Sequence, residues 1–229
     1  MPDTQARIGH GITMEMADIA TPTVFTYLSE IFDVTPPSDT TDTPDATHMQ
    51  SPNKTREFID GLTDPGEASF EMNYVPGSAS DLALTAAKGQ RKWLRLTFPN
   101  GVQLLFIGIR QGYEKSAPTD DKMTASVTFK VSGEPVLTDP AAPRNITAPV
   151  ITGTAKVGFP LVVDPGIWAG ADVITYQWEA DGTPVVGATG LSYVPVTGDL
   201  TKVITCVVNG ANDDFDTDAE TAATAAVIA

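Results

Sequence analysis

The sequence predicts an all-β-dominated protein: an N-terminal antiparallel β-sandwich or barrel with one short flanking helix, followed by a second β-sandwich. Three observations predict it. From Lys122 to Leu137, Met123, Ala125, Val127, Phe129 and Val131 alternate with Thr124, Ser126, Thr128 and Lys130, the pattern of a half-buried strand, which Gly133 and Pro135 then stop. Asn100-Gly101, between the apolar runs Trp93–Phe98 and Val102–Ile109, is a strong hairpin signal. Beyond residue 149, short apolar runs recur with turn residues between them, as in a sandwich.

Taken in order, an opening segment Met1 to His10 has no basic-then-apolar pattern, so no secretion signal is expected. Ile12, Met14 and Met16 give a first strand, and Thr23 to Asp33 a second, mixed one. Val34 to Thr55, rich in Thr, Pro, Asp and Ser, shows no periodicity; composition favours disorder in the free monomer. Ala68, Phe70, Met72 and Tyr74 then alternate with Glu67, Ser69, Glu71 and Asn73, giving a strand with one apolar and one acidic, polar face. Ser80 is positioned to cap a helix over Asp81 to Lys88, closed by Gly89. In the hairpin that follows, Val102–Ile109 is apolar on both faces, as a buried or interface strand would be, and Gln111 to Asp121 reads as a polar connection. The expected domains are 1–138, a Pro-rich linker 139–148, and 149–229. In the last, strands are expected at Val150–Ile151, Phe159–Val163, Val173–Glu179, Leu191–Val194 and Lys202–Val208, with a closing Ala-rich strand ending at Ile228.

Composition narrows the function. The formal net charge is −15, spread as −8 over residues 1–140 and −7 over 141–229. No basic groove for nucleic acid is visible, and the one basic cluster, Lys88, Arg91, Lys92 and Arg95, reads as a solvated strand edge. No apolar run approaches the ~20 residues of a membrane helix, so no membrane insertion is expected. The single cysteine, Cys206, excludes an internal disulfide and reads as a core thiol. His10 and His48 lack companions at ligand spacing, so no metal is expected. Asp214 to Asp218 has the opening rhythm of a calcium loop but lacks its glycine and distal glutamate, with Ala219 and Ala225 in those places; an acidic surface turn is the better reading. No phosphate-cradling loop and no nucleophile elbow occurs, and no catalytic residue or cofactor is assigned. Trp168 and Tyr193 are candidates for a sugar-stacking surface, although such rings are more often core.

Over residues 5–137 the chain resembles the tail tube proteins of long, non-contractile-tailed (siphovirus, lambda-like) bacteriophages. The resemblance rests on Thr47-His-Met-Gln-Ser-Pro-Asn-Lys-Thr-Arg-Glu-Phe-Ile59, Gly61-Leu62…Asp64…Gly66-Glu67, Phe98-Pro-Asn-Gly101 and Asp121 to Gly133. It implies a virion protein, made in the host cytoplasm, that forms hexameric rings. The rings stack into a hollow tube with tape measure, tail tip and terminator proteins as partners, and DNA passes through the bore without specific binding. Under it, Glu67 and Glu71 become candidates for lining the bore, with outer-surface acids as the plain alternative. The stretch holding Val34, Pro36, Asp39, Asp42, Pro44, Asp45, His48 and Thr55 becomes a loop that packs on the neighbouring ring.

Residues 149–228 look like bacterial immunoglobulin-like domains, on Tyr176-Gln-Trp178, Asp181-Gly182, Gly187-Ala-Thr189…Tyr193 and Ile204-Thr-Cys-Val-Val208-Asn209. That likeness puts Trp178, Cys206 and Leu161 in the core, with Leu161 or Val163 in place of the absent second cysteine. No tyrosine stands two residues before Cys206. The expected function is a structural tail tube subunit whose second domain decorates the outside and aids attachment through weak glycan contact. The alternatives are a host-surface or carbohydrate-binding module, and the tube of a phage-derived secretion or killing device.

Overall fold

The structure, a computed structural model, describes residues 9–229. Of the opening segment Met1–His10, residues 1–8 lie outside the described residues. The chain forms two compact units. One comprises Met14–Arg95 with Leu104–Leu137; the other comprises Thr138–Ala229 with the turn Leu96–Gln103 and the described residues before Met14.

In the N-terminal unit the strands are β1 (Thr13–Asp18), β2 (Phe25–Leu28), β3 (Ile31–Thr35), β4 (Thr40–Thr41), β5 (Thr63–Asp64), β6 (Glu67–Asn73), β7 (Arg91–Thr97), β8 (Gln103–Ser116), β9 (Thr124–Val131) and β10 (Val136–Leu137), with helix α1 (Ala79–Ala86) between β6 and β7. The main sheet runs β2-β1-β7-β8-β9-β6-β3, with β10 added beside β8. Laid flat, six gaps of ~4.8 Å would hold β2 and β3 about 29 Å apart. Only Ser29 and Glu30 separate them in the chain, a span of at most ~11 Å. The sheet therefore folds back until its two edges approach, which is the predicted sandwich.

The expected single strand Thr23–Asp33 is thus two strands at opposite edges. Glu30 (φ 68°) turns the chain, and Ser29 N–H leaves the ladder to donate to Ser80 Oγ at 2.9 Å. Ser80 is buried in the first helical turn and is not the cap; Ser78 is, accepting from Asp81 N–H.

The fold-back encloses Met14, Met16, Leu28, Phe70, Met72, Leu94, Phe106, Val127 and Phe129, all 5 % exposed or less. Each fully buried ring or aliphatic chain contributes roughly 1.5–3 kcal/mol. Phe70 and Phe129, diagonal neighbours two residues out of register across β6 and β9, stack with centroids 6.2 Å apart. Leu84 and Ala87 bring the helix onto this core.

Of the basic cluster, Lys88 and Arg91 are exposed as a solvated edge would be, but Lys92 and Arg95 are not. Arg95 donates from Nε (2.9 Å) and Nη2 (2.8 Å) to Oε2 of Glu15, which is 1 % exposed, and lies 3.9 Å over the Phe25 ring. Lys92, also buried, pairs with Asp18. Buried charges persist only when paired, and β1 supplies both acids.

Helix and sheet are pinned at Asp81. Its carboxylate accepts from Lys115 Nζ (2.8 Å), Gly77 N–H (3.0 Å) and Tyr113 Oη (2.9 Å). The Lys115 ammonium, with the Gly77 amide and the Tyr113 hydroxyl, holds its pKa down at about 2 from an ordinary 3.8. A carboxylate depressed in the folded state adds stability above its ordinary pKa and loses it as pH falls through the folded value. Asp81→Asn is expected to lower stability at pH 7 by about 1–3 kcal/mol. In thermal melts, the gap between the variant and the parent protein should close as pH falls from about 4 to about 2.

The C-terminal unit holds β11 (Arg144–Thr147), β12 (Val150–Thr152), β13 (Leu161–Asp164), β14 (Ile167–Ala169), β15 (Val173–Ala180), β16 (Thr183–Pro184), β17 (Ser192–Tyr193), β18 (Ile204–Ala211) and β19 (Asp216–Glu220). They form the sheets β12-β13-β17 and β16-β15-β18-β19 and the pair β11-β14, all antiparallel. Arg144–Thr147, expected as linker, is a strand because its backbone pairs with Ile167–Ala169.

Trp178 and Cys206 are direct cross-strand partners, and both lie with Leu161, Val163 and Trp168 in one core. Burial raises the Cys206 thiol to about 11. The closing strand is not Ala-rich. It is the acidic edge strand Asp216–Glu220, which places Asp216, Asp218 and Glu220 in solvent. Asn209 Nδ2 bridges Asp216 and Asp218. The Ala-rich end is held by backbone bonds, among them Thr221 N–H to Cys206 C=O, Thr224 N–H to Ile204 C=O and Ile228 N–H to Ala155 C=O. Thr221 Oγ1 also accepts from Cys206 N–H and Thr224 Oγ1 from Ile204 N–H, each at 3.0 Å.

Candidate functional site: the polar sheet face and the projecting arm

Strands β3, β6, β9 and β8 bury one face, so their alternate residues form a solvated one. Register places Asp33 opposite Glu71, Glu71 opposite Ser126, and Ser126 opposite Glu114. One row across four strands thus carries three exposed carboxylates. Beside it run Thr35, Ser69, Thr128 and Gly112. Glu67 lies on the same face, opposite Lys130.

Of the two bore candidates, then, Glu71 stands in an acidic row and Glu67 beside a lysine. Sequence reading missed Asp33 and Glu114. Glu114 fell in what looked like a polar connection, yet β8 continues to Ser116 through a bulge at Arg110–Gly112. The signal was present: Tyr113 and Lys115 alternate with Gly112 and Glu114, and the first two turn toward Asp81.

The second feature is a projecting arm. Val34 belongs to β3, paired with Phe70, so the arm begins at Pro36 and returns at Gly66. It is structured rather than featureless. Thr40 and Thr41 pair with Asp64 and Thr63, Asp42 N–H donates to Leu62 C=O, Ile59 N–H donates to Pro44 C=O, and Asp45 bridges Phe58. At its tip Thr47 N–H donates to Asp45 and Ser51 Oγ to Glu57, while His48 Nδ1 lies 3.1 Å from Ser51 Oγ; Thr55 bonds Pro52 C=O.

The root explains why glycine stands at 66. Its φ is +74°, and a Cβ there would lie 2.0 Å from Ser38 C=O. Asp64 Oδ1 accepts from Gly66 N–H (2.9 Å), and Lys130 Nζ reaches both Asp64 oxygens at 2.8 Å, fastening the arm to β9. The Lys130 bond, then the Gly66 amide, holds the Asp64 carboxyl below its usual range.

No residue from Pro36 to Gly66 is buried, while Met49, Phe58, Ile59 and Leu62 are largely exposed. A two-stranded ribbon with no core of its own is marginal in water. Asp64→Ala should leave the melting temperature nearly unchanged but speed amide exchange across residues 38–64, read by hydrogen-exchange mass spectrometry.

The sugar-stacking pair is not a platform. Trp168 is 8 % exposed, donates from Nε1 to Pro165 C=O at 2.9 Å, and lies so close to β18 that a Cβ at Gly210 would meet its ring at 2.5 Å. Tyr193 leans on Trp178 (centroids 5.7 Å apart) and donates to Asp199 Oδ2 at 2.6 Å. Burial, then that bond, raises its pKa to about 12. Among the described residues, no three His, Cys, Asp or Glu side chains form a group that could hold a metal.

An all-β chain with a solvated acidic sheet face and an unsupported arm has the makings of a structural protein that associates through its strands and loops. The family described as lambda phage tail tube protein (TTP) matches residues 9–138, more than half of the chain, and the chain belongs to that family. Its role is structural, in the tube of a phage tail. No curated protein matches it.

Among solved structures, the chain is similar to the tail of an empty gene transfer agent particle refined with C6 symmetry (13 % identity, TM-score 0.49, covering 58 % of this chain and 100 % of that one). It is also similar to the SPP1 tail tube (12 %, 0.46, 57 % and 77 %) and to a chain of the anti-feeding prophage baseplate (8 %, 0.47, 59 % and 97 %).

Proposed function

We propose that the chain is the major tube subunit of a non-contractile phage tail. Hexameric rings stack into a hollow conduit for DNA, alongside tape measure, tip and terminator proteins. The observation that carries this reading is the arm: some thirty residues with no buried member and four large exposed apolar side chains. Such a segment gains its packing only against another surface, and in a stack that surface is the next ring.

Sheet edges β2 and β3 are the joints between neighbours in a ring, where unpaired backbone groups find partners. The face bearing Asp33, Glu67, Glu71 and Glu114 then lines the bore. There, fixed negative charge repels phosphate and keeps DNA from adhering. Residues 149–229 form an immunoglobulin-like domain on the outside, built on Leu161, Trp178 and Cys206. With Trp168 and Tyr193 engaged internally, any glycan contact there uses other residues.

The test is electron microscopy of the concentrated, aged protein. Hollow tubes with external knobs are expected. Replacing residues 38–64 with a short turn should leave rings that no longer stack, with little change in melting temperature. Deleting 141–229 should leave smooth tubes. An arm-deleted protein that still forms tubes would sink the role given to the arm.

A further inference from the structure

Resting on the tube reading, we propose where the arm docks: the tip around Lys54 and Arg56 of one copy seats in a groove at the root of the arm of the next copy. The groove has a volume of about 600 Å³ and is lined by Pro37, Asp39, Thr63, Pro65, Leu104 and Glu134, among others. Its walls are proline and leucine, and the exposed Val136 and Leu137 continue beside it along β10. Its two carboxylates, Asp39 and Glu134, form no ion pair among the described residues. Lys130, close by on β9, is already committed to Asp64.

The tip has the complementary chemistry. Among the described residues Lys54 forms no ion pair, and Arg56 approaches Asp45 only at 3.7 Å with its side chain 76 % exposed. The tip's own acids are occupied, Asp45 by the Thr47 amide and Glu57 by the Ser51 hydroxyl. Met49 is fully exposed and Phe58 half exposed, ready for an apolar wall. In a chain with 14 basic residues and a charge of −15, two cations within three residues on a solvated tip are a marked concentration.

Tip and groove of one copy cannot meet. The arm is a paired ribbon whose rungs run from Thr40–Asp64 and Thr41–Thr63 at the root to Asp45–Phe58 and the Ala46–Glu57 bond below the tip. About six paired residues at ~3.3 Å each hold tip and groove roughly 20 Å apart. The occupant is therefore a second copy. A contact between two different surfaces of identical chains closes into a ring where its rotation allows and otherwise propagates; directed along the tube axis, this one propagates as a stack.

The test uses full-length protein in three forms: tip-reversed (Lys54→Glu with Arg56→Glu), groove-reversed (Asp39→Lys with Glu134→Lys), and both sets in one chain. Analytical ultracentrifugation reads self-association, and melting temperatures confirm folding. Each reversal alone should weaken association at least about tenfold, and the combined chain should recover most of it. If the tip-reversed protein weakens but the combined chain recovers nothing, the tip docks elsewhere and the groove is wrong. If both reversals associate like the parent, the whole contact is wrong. A parent protein that stays monomeric at the highest attainable concentration overturns the tube reading itself.

Discussion

The fold of the N-terminal unit depends on a closure constraint. Strands at the two ends of a seven-strand path are joined by Ser29 and Glu30, and so short a tether permits only a sheet folded back on itself. The interior it encloses then has to be apolar, which Phe70, Phe106, Phe129 and the β1 methionines provide. Where β1 and β7 lie, burial extends to the second face as well, and there Glu15 is matched by Arg95. Asp18 and Lys92, in step with Met16 and Leu94, are matched to each other at the end of the core face. The helix occupies the place left to it, held by Ser80 to the β2–β3 tether and by Asp81 to the end of β8.

Closure also divides labour between the parts of the unit. The fold-back supplies stability, so the solvated side of β3, β6, β9 and β8 is free to be chosen for charge alone. The arm is likewise free of any duty to the core. A monomer carries both at a modest cost, since the opposed carboxylates of Asp33 and Glu71 repel each other.

The alternation in β6 and β9 was plain to read because each residue there meets core or water, and no tertiary contact contradicts the local pattern. Asn100-Gly101 marked its turn for the same reason. Long-range effects were not legible. Nothing local distinguishes Ser80 from a cap; only the position of Ser29, far off in sequence, assigns its hydroxyl. Arg95 and Lys92 looked solvated because their partners sit on β1, some eighty residues earlier. The acidic row was half visible: Glu67 and Glu71 lie on an alternating strand, whereas Asp33 and Glu114 join them only through register and a bulge. Trp168 was open to two readings, and the bare backbone of Gly210 beneath its ring decides for the core.

The edge of the C-terminal unit bears on crowding. A terminal strand normally offers a row of free amides and carbonyls to any passing chain. Here Asp216, Asp218 and Glu220 stand along that row, and among the described residues none of them is ion-paired. Identical units held side by side at very high local density would meet carboxylate to carboxylate. Mutual repulsion then keeps each a separate, soluble body, where a neutral edge would let neighbours knit into fibres.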